Sequence, residues 1–191
     1  LIFLRLMRLF IAINPGEETQ NVLESIKEEI IIKSGKETAS AIKWEPENKL
    51  HLTLFFLGEI KNEIYSGLIK SLSEIKIPEE ITFRPTGINA FPDLRNPRVI
   101  IAGLGNDDGK ANYLYSEITK VMGEYNIAAE RGFKPHITLG CVKRQIRLSP
   151  EIIKDINSRN RDYGFISGGF ELIQSKLTPQ GSIYKVLKIF L

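Results

Sequence analysis

A four-residue pattern of histidine, an aliphatic residue, threonine and leucine occurs twice, and it constrains the fold more than any other feature. The first copy is His51-Leu52-Thr53-Leu54 and the second is His136-Ile137-Thr138-Leu139; together they contain both histidines of the chain. Side chains alternate along a β-strand, so the histidine and threonine of each tetrad share one face, roughly 6.6 Å apart, while the aliphatic residues face a core. The repetition predicts two equivalent strands that present two imidazoles to one gap.

Two imidazoles that face one gap suit acid–base chemistry at a phosphodiester. An imidazole titrates near neutral pH, so one ring can take a proton from the attacking oxygen while the other gives a proton to the leaving oxygen. The hydroxyls of Thr53 and Thr138 can donate hydrogen bonds to the phosphoryl oxygens, where negative charge must be held. A 2′,3′-cyclic phosphate at an RNA end is small enough for such a gap. A lone histidine beside a threonine is ordinarily structural, but two matched copies are hard to explain by packing.

The tetrads and the segments around them resemble the two-histidine (2H) phosphoesterase superfamily, specifically the RNA 2′,3′-cyclic phosphodiesterases, also called 2′-5′ RNA ligases. The resemblance implies a bilobal α+β fold. In that fold two antiparallel β-sheets, related by a pseudo-two-fold axis, flank a central cleft and carry helices on their outer faces. The segments that carry the resemblance are residues 7–13, residues 44–50, Phe56-Leu57-Gly58, Phe91-Pro92, Pro97-Arg98-Val99, Phe133-Lys134-Pro135, Ser175-Lys176-Leu177 and residues 181–184.

The same resemblance implies roles for individual residues. His51 would be the proton donor to the 3′ leaving oxygen and His136 the proton acceptor from water, which leaves a 2′-phosphate; residue types alone do not distinguish these roles. Many relatives place an arginine five residues after the second histidine, where it can meet the phosphate, and Cys141 holds that position here. The candidate substrate-binding residues are therefore Phe10, for stacking on a base, and Arg131, Lys143 and Arg144, for replacing the missing charge.

Composition indicates an ordinary globular domain. The chain has 191 residues, of which 42% are hydrophobic and 26% charged, and its net charge is +3, so RNA binding must depend on local charge rather than on bulk attraction. We expect a single domain over residues 7–191 after an upstream extension at residues 1–6. The single cysteine fits a reducing compartment, and no apolar run is long enough for a membrane span. We expect a cytoplasmic monomer with no membrane partner.

Hydrophobic periodicity predicts the remaining elements. Helices are predicted from an Asn14-Pro15 cap to a stop at Ser34-Gly35, around residues 64–75, after residues 106–108, and from Ser149. Strands are predicted at residues 9–13, 42–44, 50–57, 81–91, 98–104, 135–142, 170–177 and 183–190, the last two forming a hairpin about residues 178–181. A strand, a helix and further strands thus occur around each tetrad, which is consistent with two similar lobes.

Three other functions remain compatible with the sequence. A non-catalytic RNA-end binder would hold a terminal phosphate in the same cleft, although binding requires charge and stacking rather than two titratable imidazoles. A zinc hydrolase would need a third protein ligand, and on a regular strand Cys141 faces away from His136. A ligase would join a cyclic-phosphate end to a 5′-hydroxyl without ATP, because the strained ester carries the energy. The chain has no glycine-rich loop of the phosphate-binding pattern, and we expect no metal or other cofactor.

Overall fold

The computed structural model describes residues 6–129, 132–179 and 181–191. Four α-helices and nine β-strands make up this part of the chain. The helices are α1 (Glu17–Ser40), α2 (Asn62–Ser73), α3 (Lys110–Glu124) and α4 (Pro150–Ser158). The strands are β1 (Leu6–Ile13), β2 (Ile42–Trp44), β3 (Leu52–Lys61), β4 (Ile81–Phe91), β5 (Val99–Gly105), β6 (His136–Val142), β7 (Phe165–Ser167), β8 (Phe170–Thr178) and β9 (Gly181–Phe190).

The two tetrad strands lie at the centre of the sheet. The strand order is β7-β4-β5-β6-β3-β1-β8-β9, with β2 beside β6, and neighbouring strands run antiparallel. Within the described ranges β3 and β6 pair at one position, Leu52 with Ile137. This bridge joins one half of the sheet, containing β3, β1, β8 and β9, to the other. The predicted α+β fold built on antiparallel sheets is confirmed, and its centre is the contact between the tetrads.

Backbone irregularities curl the first half of the sheet. The pairing of β1 with β3 skips Leu54 and Leu57, so β3 carries one extra residue at each of these two positions. Gly58 follows the second bulge with a φ of 73°, in the left-handed region that glycine adopts most readily. Each bulge increases the local twist, and together they bend the strand that follows the first histidine.

The core lies between the sheet and the helices. All four aliphatic residues of the tetrads are buried in it, as the alternation predicts, together with the inner faces of the helices. A smaller buried cluster, Phe10, Ala12 and Ile173, lies apart from this core and has Tyr184 packed against it. Because Leu9 and Ile11 of the same strand belong to the main core, the smaller cluster marks the opposite face of the sheet, which the tetrad histidines share.

Two predictions about α1 need correction. The side chain of Asn14 accepts a hydrogen bond from the Gly16 amide (2.9 Å), and this local turn delays the helix to Glu17. The predicted stop at Gly35 is a break rather than an end. Gly35 has a φ of 78°, and helical backbone resumes beyond it as far as Ser40.

The other elements agree with the periodicity, apart from β7, which is too short to leave a pattern. Ser149 caps α4 through a hydrogen bond from the Ile152 amide to its hydroxyl, as predicted. The C-terminal hairpin is confirmed, although Gln180 of its turn lies outside the described residues, as do residues 1–5 of the expected extension. In the ranges described, no helix combines the length and apolar character that crossing a membrane requires.

Candidate active site

Each histidine ring is held by an equivalent backbone contact. His51 Nδ1 lies 2.6 Å from the carbonyl oxygen of Lys49, and His136 Nδ1 lies 2.6 Å from that of Lys134. A carbonyl oxygen can only accept, so Nδ1–H donates in both contacts and the neutral ring carries its lone pair on Nε2. Both rings therefore keep Nε2 for exchanging a proton with a bound molecule.

The bridge between Leu52 and Ile137 places the two tetrads next to each other. Continuing the antiparallel register outward from Leu52 and Ile137 sets His51 opposite Thr138 and Thr53 opposite His136. The two histidines are then diagonal neighbours, about 7–8 Å apart in a regular pair. The two rings are close enough for their charges to interact.

Burial controls the titration of both rings. It lowers the pKa of His51, against the opposing effect of the hydrogen bond to the Lys49 carbonyl, and the His136 charge lowers that pKa further. Burial also lowers the pKa of His136, with the Lys134 carbonyl opposing it. A proton on one ring thus disfavours a proton on the other, which suits a pair that carries one proton between them.

The threonines of the tetrads are half-buried beside the histidines. Neither the Thr53 hydroxyl nor the Thr138 hydroxyl makes a hydrogen bond to another residue in the described part of the chain. Both hydroxyls are therefore available to a ligand placed between the two strands.

Aromatic rings surround His51. The Phe10 ring lies 5.0 Å from the His51 ring, and the Tyr184 ring meets it edge-on at 5.6 Å. Phe10 is only 4% exposed, so little of its ring is left for a base, and the prediction that it stacks on one is corrected. Phe10 instead packs against the catalytic candidate.

Two of the rings at the site were not predicted. Tyr184 reaches His51 from β9, and Phe91, from the end of β4, meets the His136 ring edge-on at 5.1 Å. Both lie far from the histidines in sequence. Only the pairing of strands brings them there.

Cys141 faces the same side of β6 as His136, contrary to the prediction. The pairing of β5 with β6 skips Leu139, so this residue and Gly140 are buried in succession and the alternation reverses after them. Burial raises the pKa of the Cys141 thiol, and the Glu45 carboxylate raises it further. The residue in the family's arginine position is thus a neutral thiol on the site side of the sheet.

The predicted replacements for that arginine lie in different surroundings. Arg131 is outside the described residues. The guanidinium of Arg144 donates to the Ser40 hydroxyl (2.8 Å), which ties it to the end of α1. Lys143 is exposed and stays a prediction.

Two other lysines lie near residues of the site. Lys49 Nζ donates to the carbonyl oxygen of Ser182 (2.6 Å) and lies 5.7 Å from the centre of the Tyr184 ring. Lys43 lies opposite Cys141 in the pairing of β2 with β6. Lys49 ends the 3-10 turn Glu47–Lys49 before β3, so strand alternation in the sequence does not predict its place at the site.

The zinc alternative lacks a third ligand in this part of the chain. Among the described residues, no three histidine, cysteine, aspartate or glutamate side chains lie close enough together to hold a metal ion.

Comparisons with known proteins agree with this fold. A family model described as LigT-like phosphoesterase matches residues 16–101. The RNA 2′,3′-cyclic phosphodiesterase of Archaeoglobus fulgidus is 34% identical over 96% of this chain and 99% of its own, and that of Thermotoga maritima is 32% identical over 95% and 93%. The crystal structure of TT0787 of Thermus thermophilus superposes with a TM-score of 0.74 at 26% identity, covering 96% of this chain and 97% of that one.

A second solved structure, E. coli LigT complexed with 3′-AMP, has the same fold, with a TM-score of 0.76 at 22% identity over 97% of this chain and 98% of that one. The fold and the paired tetrads define the class of protein as a phosphoesterase. The near-complete coverage by relatives above 30% identity shows the family: the chain belongs to the LigT-like phosphoesterases, within the two-histidine superfamily that the tetrads predicted.

Proposed function

We propose that the protein hydrolyses the 2′,3′-cyclic phosphate at the 3′ end of RNA to a 2′-phosphate. The observation that carries this proposal is the matched pair of imidazoles, each with Nδ1 tied to a carbonyl and Nε2 left for proton transfer. The relatives from A. fulgidus and T. maritima are RNA 2′,3′-cyclic phosphodiesterases, which supports the same substrate class here.

In the proposed reaction, water attacks the phosphorus and gives its proton to Nε2 of His136. The bond from phosphorus to the 3′ oxygen breaks, and His51 donates its Nε2 proton to that oxygen. Thr53 and Thr138 donate hydrogen bonds to the non-bridging oxygens as negative charge develops on them. The assignment of acid to His51 and base to His136 follows the family resemblance. The reverse sequence, with a 5′-hydroxyl as nucleophile, would form a 2′-5′ linkage.

Turnover of a simple substrate tests the proposal. Purified protein is incubated with a nucleoside 2′,3′-cyclic phosphate in excess chelator, and the products are separated by chromatography against 2′- and 3′-phosphate standards. We expect multiple turnovers to the 2′-phosphate, with full activity in chelator. Stoichiometric binding without turnover would favour the RNA-end binder instead, and activity that disappears in chelator would favour the metal hydrolase.

The pH dependence should reflect the lowered pKa values of both histidines. The active form needs His136 neutral and His51 protonated, so a plot of kcat/KM against pH should be bell-shaped. Its two apparent pKa values describe the titration of the two histidines together. Because burial lowers both pKa values in the free protein, the maximum of kcat/KM should lie below the ordinary histidine value of 6.5. A bound phosphate anion favours the protonated rings, so the kcat maximum should lie at higher pH. A kcat/KM maximum above pH 7 would contradict this assignment.

Restoring an arginine at position 141 should strengthen substrate binding. The bulge in β6 turns Cys141 toward the histidines, so in Cys141→Arg a guanidinium replaces a neutral thiol on the site side of the strand. We expect KM for a cyclic mononucleotide to fall about three- to tenfold, as a charge-assisted hydrogen bond at a partly exposed site would produce. Cys141→Ser is the matched control and should leave KM within about twofold. An unchanged KM in Cys141→Arg would show that the side chain does not reach the phosphate.

A further inference from the structure

A cavity of about 630 Å³ lies at the end of the first half of the sheet where β1 begins. Its walls come from three adjacent strands and the start of α2. Most of the lining side chains are polar or charged: Arg8, Glu59, Asn62, Gln174, Ser175 and Lys176, with Leu6, Met7 and Leu177 completing it. No step of the proposed hydrolysis uses these residues.

The cavity adjoins the candidate active site along one face of β1. Arg8 precedes Phe10 by two residues, so the two side chains share a face and their Cα atoms are roughly 6.6 Å apart. Phe10 in turn contacts the His51 ring at 5.0 Å. Burial raises the pKa of Tyr184, the second ring against His51, and the charge of Arg8 acts against that rise. Arg8 of the cavity is thus separated from the His51 ring by the side chains of Phe10 and Tyr184.

The guanidinium of Arg8 is not paired within the protein. Arg8 is exposed, and no hydrogen bond or ion pair joins it to another residue in the described ranges. Glu59 lies opposite Arg8 in the pairing of β1 with β3 but forms no ion pair with it there. An unpaired guanidinium, with hydroxyl and amide groups of the cavity beside it, suits a phosphodiester flanked by ribose hydroxyls.

An exposed aromatic ring lies on the same face. Phe56 of β3 is 55% exposed, and its ring lies 6.2 Å from that of Phe10. An aromatic side chain that remains this exposed beside a buried one provides a surface on which an unpaired base can stack.

We propose that this surface binds the second nucleotide from the 3′ end of the RNA substrate, with Arg8 on the phosphodiester that links it to the terminal nucleotide and Phe56 stacked on its base. The inference rests on the proposed function, because the terminal cyclic phosphate must lie between the histidines. Binding of the second nucleotide makes the protein selective for RNA ends over free cyclic nucleotides.

Three substrates that end in the same adenosine 2′,3′-cyclic phosphate separate the contributions. The first is the free cyclic nucleotide, the second carries a 5′-phosphate, and the third is the dinucleotide. We expect kcat/KM to rise about tenfold from the first to the second and about fivefold more to the third. Arg8→Gln should lower kcat/KM about tenfold on the second and third substrates and leave the first within twofold. Phe56→Leu should lower kcat/KM about fivefold on the dinucleotide alone. Lys154→Gln removes the same charge from an exposed side chain of α4 and should leave kcat/KM unchanged on all three substrates.

The possible results separate this inference from the proposed function. Equal kcat/KM on all three substrates, or equal losses on all three in Arg8→Gln, would overturn the second-nucleotide site while turnover of the free cyclic nucleotide upheld the hydrolase. No turnover of any substrate would overturn the proposed function, and this inference with it.

Discussion

Replacing His51 or His136 by alanine is expected to lower kcat on a nucleoside 2′,3′-cyclic phosphate by about two to four orders of magnitude, the usual contribution of general acid–base catalysis. Each ring is positioned by a backbone carbonyl and offers Nε2, so each variant removes one complete proton-transfer step. Initial rates over a range of substrate concentrations give the measurement. Retained activity in the His51→Ala, His136→Ala double variant would refute the two-histidine mechanism.

The pH profile of the residual activity distinguishes a lost catalytic group from a disturbed fold. His51→Ala removes the acid, so the fall of kcat/KM on the alkaline side should disappear. His136→Ala removes the base, so the fall on the acidic side should disappear. Thermal unfolding of both variants serves as the control, and an intact transition together with an unaltered bell would contradict the assigned roles.

The second large effect concerns stability. Leu52→Ala is expected to lower the free energy of unfolding by about 2–5 kcal/mol, because it truncates a fully buried side chain in a packed core. Leu52 also forms the bridge to Ile137, so the cavity opens where the two halves of the sheet meet. Urea unfolding followed by circular dichroism measures the change. Activity should fall as well, since His51 is the adjacent residue.

A matched substitution at the surface is the control for this experiment. Ile166→Ala removes the same apolar volume from a side chain that is 63% exposed on β7, and it should change the free energy of unfolding by about 0.5 kcal/mol or less. Leu52→Ala combined with Ile137→Ala should cost less than the sum of the two single changes, because the two residues are paired across the bridge. Equal effects of Leu52→Ala and Ile166→Ala would contradict the packing of Leu52 in the core, and additive effects of Leu52→Ala and Ile137→Ala would contradict their coupling across the bridge.

Most of the fold was predictable because its elements leave periodic patterns. The apolar positions of α2 and α3 recur at helical spacing, and the tetrad strands alternate between core and site faces. The errors occurred where local chemistry competes with periodicity. The Asn14 side chain forms a turn before α1, and Gly35 interrupts that helix without ending it.

Some features of the candidate site could likewise be predicted from the sequence, and others could not. The histidines and threonines were predicted because the motif repeats, and in the structure the two tetrads meet where Leu52 pairs with Ile137. The orientation of Cys141 was missed because a bulge depends on the partner strand and has no marker in a single sequence. Phe10 was assigned to a base because aromatic residues serve that purpose, whereas the packing of three strands decided that it is buried.

The sequence by itself determined which groups are candidates for the chemistry: two His-x-Thr-x tetrads, in which alternation puts the aliphatic side chains on the core face and the histidine and threonine on the other face. Only the tertiary structure decided what surrounds them, including Tyr184, Phe91, the lysines of β2 and the turn before β3, and the cavity beside Arg8. The physical reason is that alternation along a strand is a local property of the backbone. Neighbours across strands instead depend on register and bulges, which the packing of the whole chain determines.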